Sequence, residues 1–157
     1  MRLLKIEALL KADAHSHVYI VPHNALPGHW LAGVKAAREN HLVARSIALA
    51  PSLLTACAEC DAWLEGLVGT QKRAPDTTLL RALHAAQVAF ELRWDPVADA
   101  FRATARLFPE ESSGPVSREA CIRWCFDAHS EKAVLRVAAH VAQQLVLDHE
   151  SAATFGE

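Results

Sequence analysis

Residues 40–68, NHLVARSIALAPSLLTACAECDAWLEGLV, decide how the chain is read. Leu53, Cys57, Cys60, Leu64 and Leu67 recur there at alternating steps of four and three residues, which makes one continuous apolar stripe on a helix. Proline lacks the amide hydrogen that a preceding turn needs. Pro51 therefore predicts a kink or break near Ala50 and takes the first turn of the longer half. The element ends near Gly66 and Gly69.

Outward from this stripe, helical spacing extends in both directions. Upstream, Trp30, Val34 and Ala37 predict a short helix over 29–39. Downstream, Leu79, Leu83, Ala86 and Phe90 predict a helix over 77–92. Asp95 and Pro96 read as a cap and first helical residue, with Val97, Phe101, Ala105 and Phe108 as the buried face that follows. Ser117 caps a further helix over about 118–128, whose inner face holds Cys121, Trp124, Cys125 and Ala128. Ser130 caps the last, 131–149, with Val134, Ala138 and Val141 inward. Only the first 28 residues read otherwise. Val18 to Val21 form a β-favouring run closed by Pro22, and residues 3–11 either pair with it as a hairpin or form a short helix. The fold class expected is all-α: about six helices in one domain spanning 1–157, with a hairpin or extended piece at 1–28 and a helical core at 29–150.

Composition sets bounds on function. The chain has 157 residues, 52% of them hydrophobic and 22% charged, in the range of globular proteins. Sixteen basic residues against eighteen acidic ones leave a net charge of −2. That balance gives no electrostatic reason to expect nucleic acid or an anionic membrane as the main partner. Charges at Lys5, Glu7 and Lys11 interrupt any leader-like apolar run, and no stretch reaches the roughly 18 apolar residues of a bilayer span. Four cysteines in such a chain suggest a reducing compartment, so the cytoplasm of a bacterial host cell is expected.

Four groups of residues carry candidate chemistry. Cys57-x-x-Cys60 and Cys121-x-x-x-Cys125 each occupy one helix face, where two facing pairs complete a tetrahedral zinc site; the alternative is that all four pack as small hydrophobes. His15, His17, His23 and His29 crowd into fifteen residues. On a strand His15 and His17 share a face and suit a metal; in a loop they are simply exposed. Glu59, Asp61 and Glu65 form an acidic face that meets a basic protein partner or only water. Arg102 and Arg106, one turn apart, and Arg118 and Arg123 are too dispersed for a groove-binding stripe. No nucleophile motif, phosphate-binding glycine loop or metalloenzyme signature is present, so catalytic residues and a cofactor are not expected.

Residues 44–56, ARSIALAPSLLTA, resemble a motif of small phage and prophage proteins in which Ala-Arg, Ile-Ala, Ala-Pro and Leu-Leu recur. The match departs at Ser46, Leu49 and Ser52. The resemblance implies origin rather than activity. A small, slightly acidic chain without a catalytic motif suggests a non-enzymatic protein that binds another protein, an anti-defence inhibitor of the anti-CRISPR kind being one example. The alternatives are a metal-binding protein using the cysteines or histidines, and an oligomeric helical scaffold that places one of Trp30, Trp63, Trp94 or Trp124 at an interface.

Overall fold

The computed structural model describes residues 2–38, 41–66, 73–107 and 122–155. The elements run α1 (Leu4–Ala12), β1 (His17–Pro22), β2 (Trp30–Arg38), β3 (His41–Ala50), α2 (Leu53–Leu64), α3 (Thr78–Ala85), β4 (Val88–Asp95), β5 (Ala100–Leu107), β6 (Ile122–Asp127) and α4 (Ser130–Phe155). The six strands form one antiparallel sheet in the order β3-β2-β1-β4-β5-β6. Two three-stranded meanders thus lie side by side, joined where β4 pairs with β1. The fold is mixed α/β, and the expected all-α bundle is incorrect.

The correction has a physical cause. In β4 and β5 a period of two, hidden by their alanines, marks the strand. In β4, Val88, Phe90 and Leu92 are buried while Ala89, Glu91 and Arg93 are only half-buried. In β5, Phe101, Ala103 and Ala105 are buried, and Arg102, Thr104 and Arg106 alternate with them. Alanine favours a helix locally, but burial on a pleated face overrides that preference. The helix expected over 29–39 is therefore β2, and the first half of the 40–68 element is β3. The helix expected to follow Pro96 is β5, and the helix expected over 118–128 is β6 in its described part, 122–127. Ser117 and Cys121 lie outside the described residues.

Pro51 neither kinks a helix nor starts one. It lies between β3 and Ser52, whose hydroxyl accepts from the Thr55 amide at 3.1 Å and caps α2. The helix-motif resemblance at 44–56 therefore straddles a strand and a helix. Residues 3–11 form α1, not a hairpin, as their Ala, Leu, Glu and Lys content favours. The 77–92 segment starts where expected, with the Thr77 hydroxyl accepting from the Leu80 amide at 3.3 Å. It stops early, because Gln87 adopts a left-handed conformation (φ 59°) that turns the chain into β4.

All four helices pack on one face of the sheet. α2 lies across β1, β2 and β3, and α4 across β4, β5 and β6. The core between them includes Val18, Ile20, Trp30, Phe90, Leu53 and Val137, all with under 2% of their surface exposed. Carboxylates from distant segments satisfy the amides that helix starts leave free. Asp61 Oδ1 accepts from the Lys5 and Ile6 amides at 2.9 Å each, Asp76 Oδ1 from the Leu53 amide at 2.8 Å, and Glu7 Oε2 from the Ser130 amide at 3.2 Å. Each places negative charge at the positive end of a helix dipole.

Candidate docking face of the sheet

Among the described residues no helix covers the opposite face of the sheet. Residues directly opposite one another in a pleated sheet share a face, so the register fixes what this face carries. Its middle row runs Gly33, Tyr19, Glu91, Thr104, Trp124 across five strands. One flanking row contains Lys35, His17, Arg93 and Arg102, and the other Leu31, Val21, Arg106 and Ile122. These are the polar and mixed half of the same alternation whose apolar half builds the core.

Glu91 sits at the centre of a charge cluster. Its Oε1 accepts from Arg93 Nη2 at 2.7 Å and Nε at 3.0 Å and lies 3.3 Å from His17 Nε2, while its Oε2 lies 3.6 Å from Arg106 Nη2. Arg102 stands directly opposite Arg93 on the neighbouring strand, a like-charge pair. Its Nε is buried and has no hydrogen-bond partner among the described residues. His17 is only 9% exposed, and its Nδ1 is likewise without a partner. Burial pushes the His17 pKa below its usual value. Glu91 opposes that shift, and Arg93, Lys35 and Arg106 add to it.

Two open clefts lie on this face. One, of about 340 Å³, is bordered by Arg93, Arg102, Thr104, Arg106 and Trp124. The other, of about 330 Å³, is bordered by His17, Tyr19, Val21 and Lys35. Glu91 and Arg106 border both, so the two clefts are neighbours on either side of this ion pair. Trp124 is 58% exposed at the edge of the face, whereas Trp30 is fully buried in the core. The His17 ring is hydrogen-bonded to no hydroxyl or thiol among the described residues, and Glu91 already serves two guanidinium groups.

The residues singled out from the sequence are scattered over the molecule. Cys57 and Cys60 line the buried face of α2, and Cys125 lies half-buried on β6. Burial raises the Cys57 thiol well above its usual range and pushes Cys60 up to about 12, so both are neutral thiols in the core. Among the described residues no group of three or more His, Cys, Asp or Glu is placed to hold a metal. His15 and His17 do not share a strand face, because β1 begins at His17 and His15 lies in the preceding turn. His23 Nδ1 accepts from the Ala25 and Leu26 amides at 3.2 Å each, which shapes the β1–β2 turn. Of the acidic trio, Asp61 caps α1, Glu65 lies 3.9 Å from Lys5, and Glu59 is half-buried on α2. Arg102 and Arg106 were legible in the sequence but were placed on a helix. On a strand, residues four apart share a face, and the alternation Phe101-Arg102-Ala103-Thr104-Ala105-Arg106 was the missed signal.

Fold and face together define a class: an antiparallel α/β sheet with one helix-covered face and one open face, cationic at its centre and apolar at its rim. No family model matches the chain, and neither a curated protein nor a solved structure matches it. Among the described residues no helix is long and apolar enough to cross a membrane.

Proposed function

We propose that the protein is a non-enzymatic docking protein that binds a segment of another protein on the open face of its sheet. The observation that carries this reading is the asymmetry of the sheet. All four helices gather on one side, and the other side presents Trp124 at 58% exposure near Ile122 on the β6 edge and Leu49 at 40% on the opposite, β3 edge. Exposed aromatics next to arginines are the composition of interface anchor points. The clefts give such a segment a seat, and the rim supplies apolar area to bury. A small inhibitor of phage origin would act by this kind of docking; its origin is suggested by the resemblance at 44–56 and not by the fold.

Site-specific photo-crosslinking tests the reading. A photoreactive phenylalanine replaces Trp124 in one variant and Leu135, on the outer side of α4 at 37% exposure, in another. Crosslinking in the producing cells should capture a discrete partner protein from position 124 and none from position 135. Adducts from position 135 with none from position 124 would move the docking surface to the helices and reject this proposal.

A further inference from the structure

We infer that the open face is built for an acidic segment of a partner protein, one carboxylate of which seats between Arg102 and Arg106 beside the Trp124 ring. This inference rests on the docking reading above and names the partner's chemistry.

Charge balance is its first support. The whole chain carries −2, yet Lys35, Arg93, Arg102 and Arg106 share the open face with two carboxylates, Glu91 at their centre and Asp95 at the end of β4. Positive charge is thus concentrated on the uncovered side of an acidic protein, which selects for an anionic partner. Geometry is the second support. Glu91 Oε1 is chelated by Arg93 at 2.7 and 3.0 Å, and Oε2 is held more loosely by Arg106 at 3.6 Å. Arg102 faces Arg93, its buried Nε without a partner among the described residues, and lines the same cleft as Arg106 and Trp124. A carboxylate entering this cleft meets the outer guanidinium nitrogens of Arg102 and Arg106, and a guanidinium takes a carboxylate through two parallel N–H donors. The neighbouring indole then covers the apolar stem or an adjacent apolar residue.

Other occupants fit the face less well. A nucleic-acid backbone needs a continuous cationic track, and here Glu91 and the apolar Val21, Leu31 and Ile122 interrupt it. A second copy packed face to face about a two-fold axis would set the cationic centre against itself.

The test selects displayed random peptides against the full-length protein. Binding is then measured by fluorescence polarisation and mapped by the indole N–H resonance of Trp124. Selected peptides should carry Asp or Glu beside an apolar residue and should shift that resonance. Their affinity should fall in high salt and drop about tenfold or more in Arg102→Gln, the loss expected for one charge-assisted pair. Lys132→Gln, on the exposed side of α4, should leave it unchanged. Thermal unfolding of Arg102→Gln checks that the variant is folded, and Arg102→Lys should restore only part of the affinity. Peptides that shift Trp124 but are neutral, and bind Arg102→Gln equally well, would overturn the acidic preference and leave the docking face standing. Peptides that perturb only the helices, or no selected peptide at all, would overturn both. Tighter binding of a single-stranded oligonucleotide than of any peptide, or self-association through the face, would overturn the acidic-segment assignment.

Discussion

Glu7 and Ser130 are 123 residues apart in the chain, yet Glu7 Oε2 accepts from the Ser130 amide at 3.2 Å and from its hydroxyl at 2.9 Å. The bond ties the first helix to the start of the last, and Arg2 completes it with a 2.6 Å contact to Oε1. Burial raises the Glu7 pKa, but the hydrogen bonds from Arg2 and Ser130 outweigh it and leave the value below the ordinary 4.5. A carboxylate with a depressed folded pKa contributes stability above its unfolded value and loses it as pH falls through the folded value. Glu7→Gln should therefore lower stability at neutral pH by about 1–3 kcal/mol. It should also flatten the acid limb of the stability curve below about pH 4.5. Denaturant titrations of both proteins across that range check this, and parallel curves would contradict the assignment.

A second buried carboxylate holds the sheet to α2. Asp76 Oδ2 accepts from the Trp30 indole at 2.7 Å, and its Oδ1 accepts from the Leu53 amide at 2.8 Å. Asp76→Ala leaves two buried N–H donors without partners and should cost about 2–5 kcal/mol, near the high end for a single substitution. Trp30→Phe removes one of these donors. The double variant should then lose less than the sum of the singles, measured as a coupling energy of about 1 kcal/mol or more. Simple additivity would mean that the indole bond contributes nothing to stability.

His17 makes the open face sensitive to pH. Burial holds its folded pKa below the ordinary 6.5, with Glu91 opposing and Arg93, Lys35 and Arg106 reinforcing the shift. The unfolded chain therefore takes up this proton first. Stability is complete above pH 6.5 and declines as pH falls through the lowered folded value. His17→Gln should remove that contribution, seen as a shallower fall of the denaturation midpoint from about pH 7 to pH 5.5 than in the wild type. An unchanged slope would place the titration elsewhere.

What could be read from the sequence followed the strength of local signals. The β1 run at Val18 to Val21 and the start of α3 at Thr77 are local, and both were legible; α4, expected over 131–149 with Ser130 as its cap, runs instead from Ser130 to Phe155, and the Ser130 hydroxyl donates to Glu7. Asp95 was expected as a helix N-cap; its Oδ1 does accept from the Val97 and Ala98 amides, at 2.9 and 3.0 Å, but no helix follows. Here that geometry opens a β4–β5 turn instead of a helix. Leu79, Leu83, Ala86 and Phe90 fit a helical stripe by coincidence, since Phe90 belongs to a strand beyond the Gln87 reversal. The open face was the hardest part to foresee. Arg93, Arg102, Glu91 and His17 come from three strands, and no spacing within one segment shows that they meet.

The cysteines give the last prediction, because they were the sharpest chemical candidates in the sequence. Cys57 and Cys60 are buried at 3% and 0% exposure, with their thiols held neutral by that burial, and thiolate is the reactive and metal-binding form. In the native protein a thiol reagent should modify Cys125, half-buried on β6, before Cys57 and Cys60. Cys57 and Cys60 should react at the rate of unfolding, as resolved by peptide mass mapping over time. Cys57→Ala should cost about 1–2 kcal/mol through lost packing and leave the metal content unchanged. A chelator should not move the unfolding midpoint of the wild type. If Cys57 were alkylated as fast as a free thiol, α2 would have to leave the sheet readily in solution. If one zinc per chain were lost on its replacement, the pair would reach a metal ligand outside the described residues.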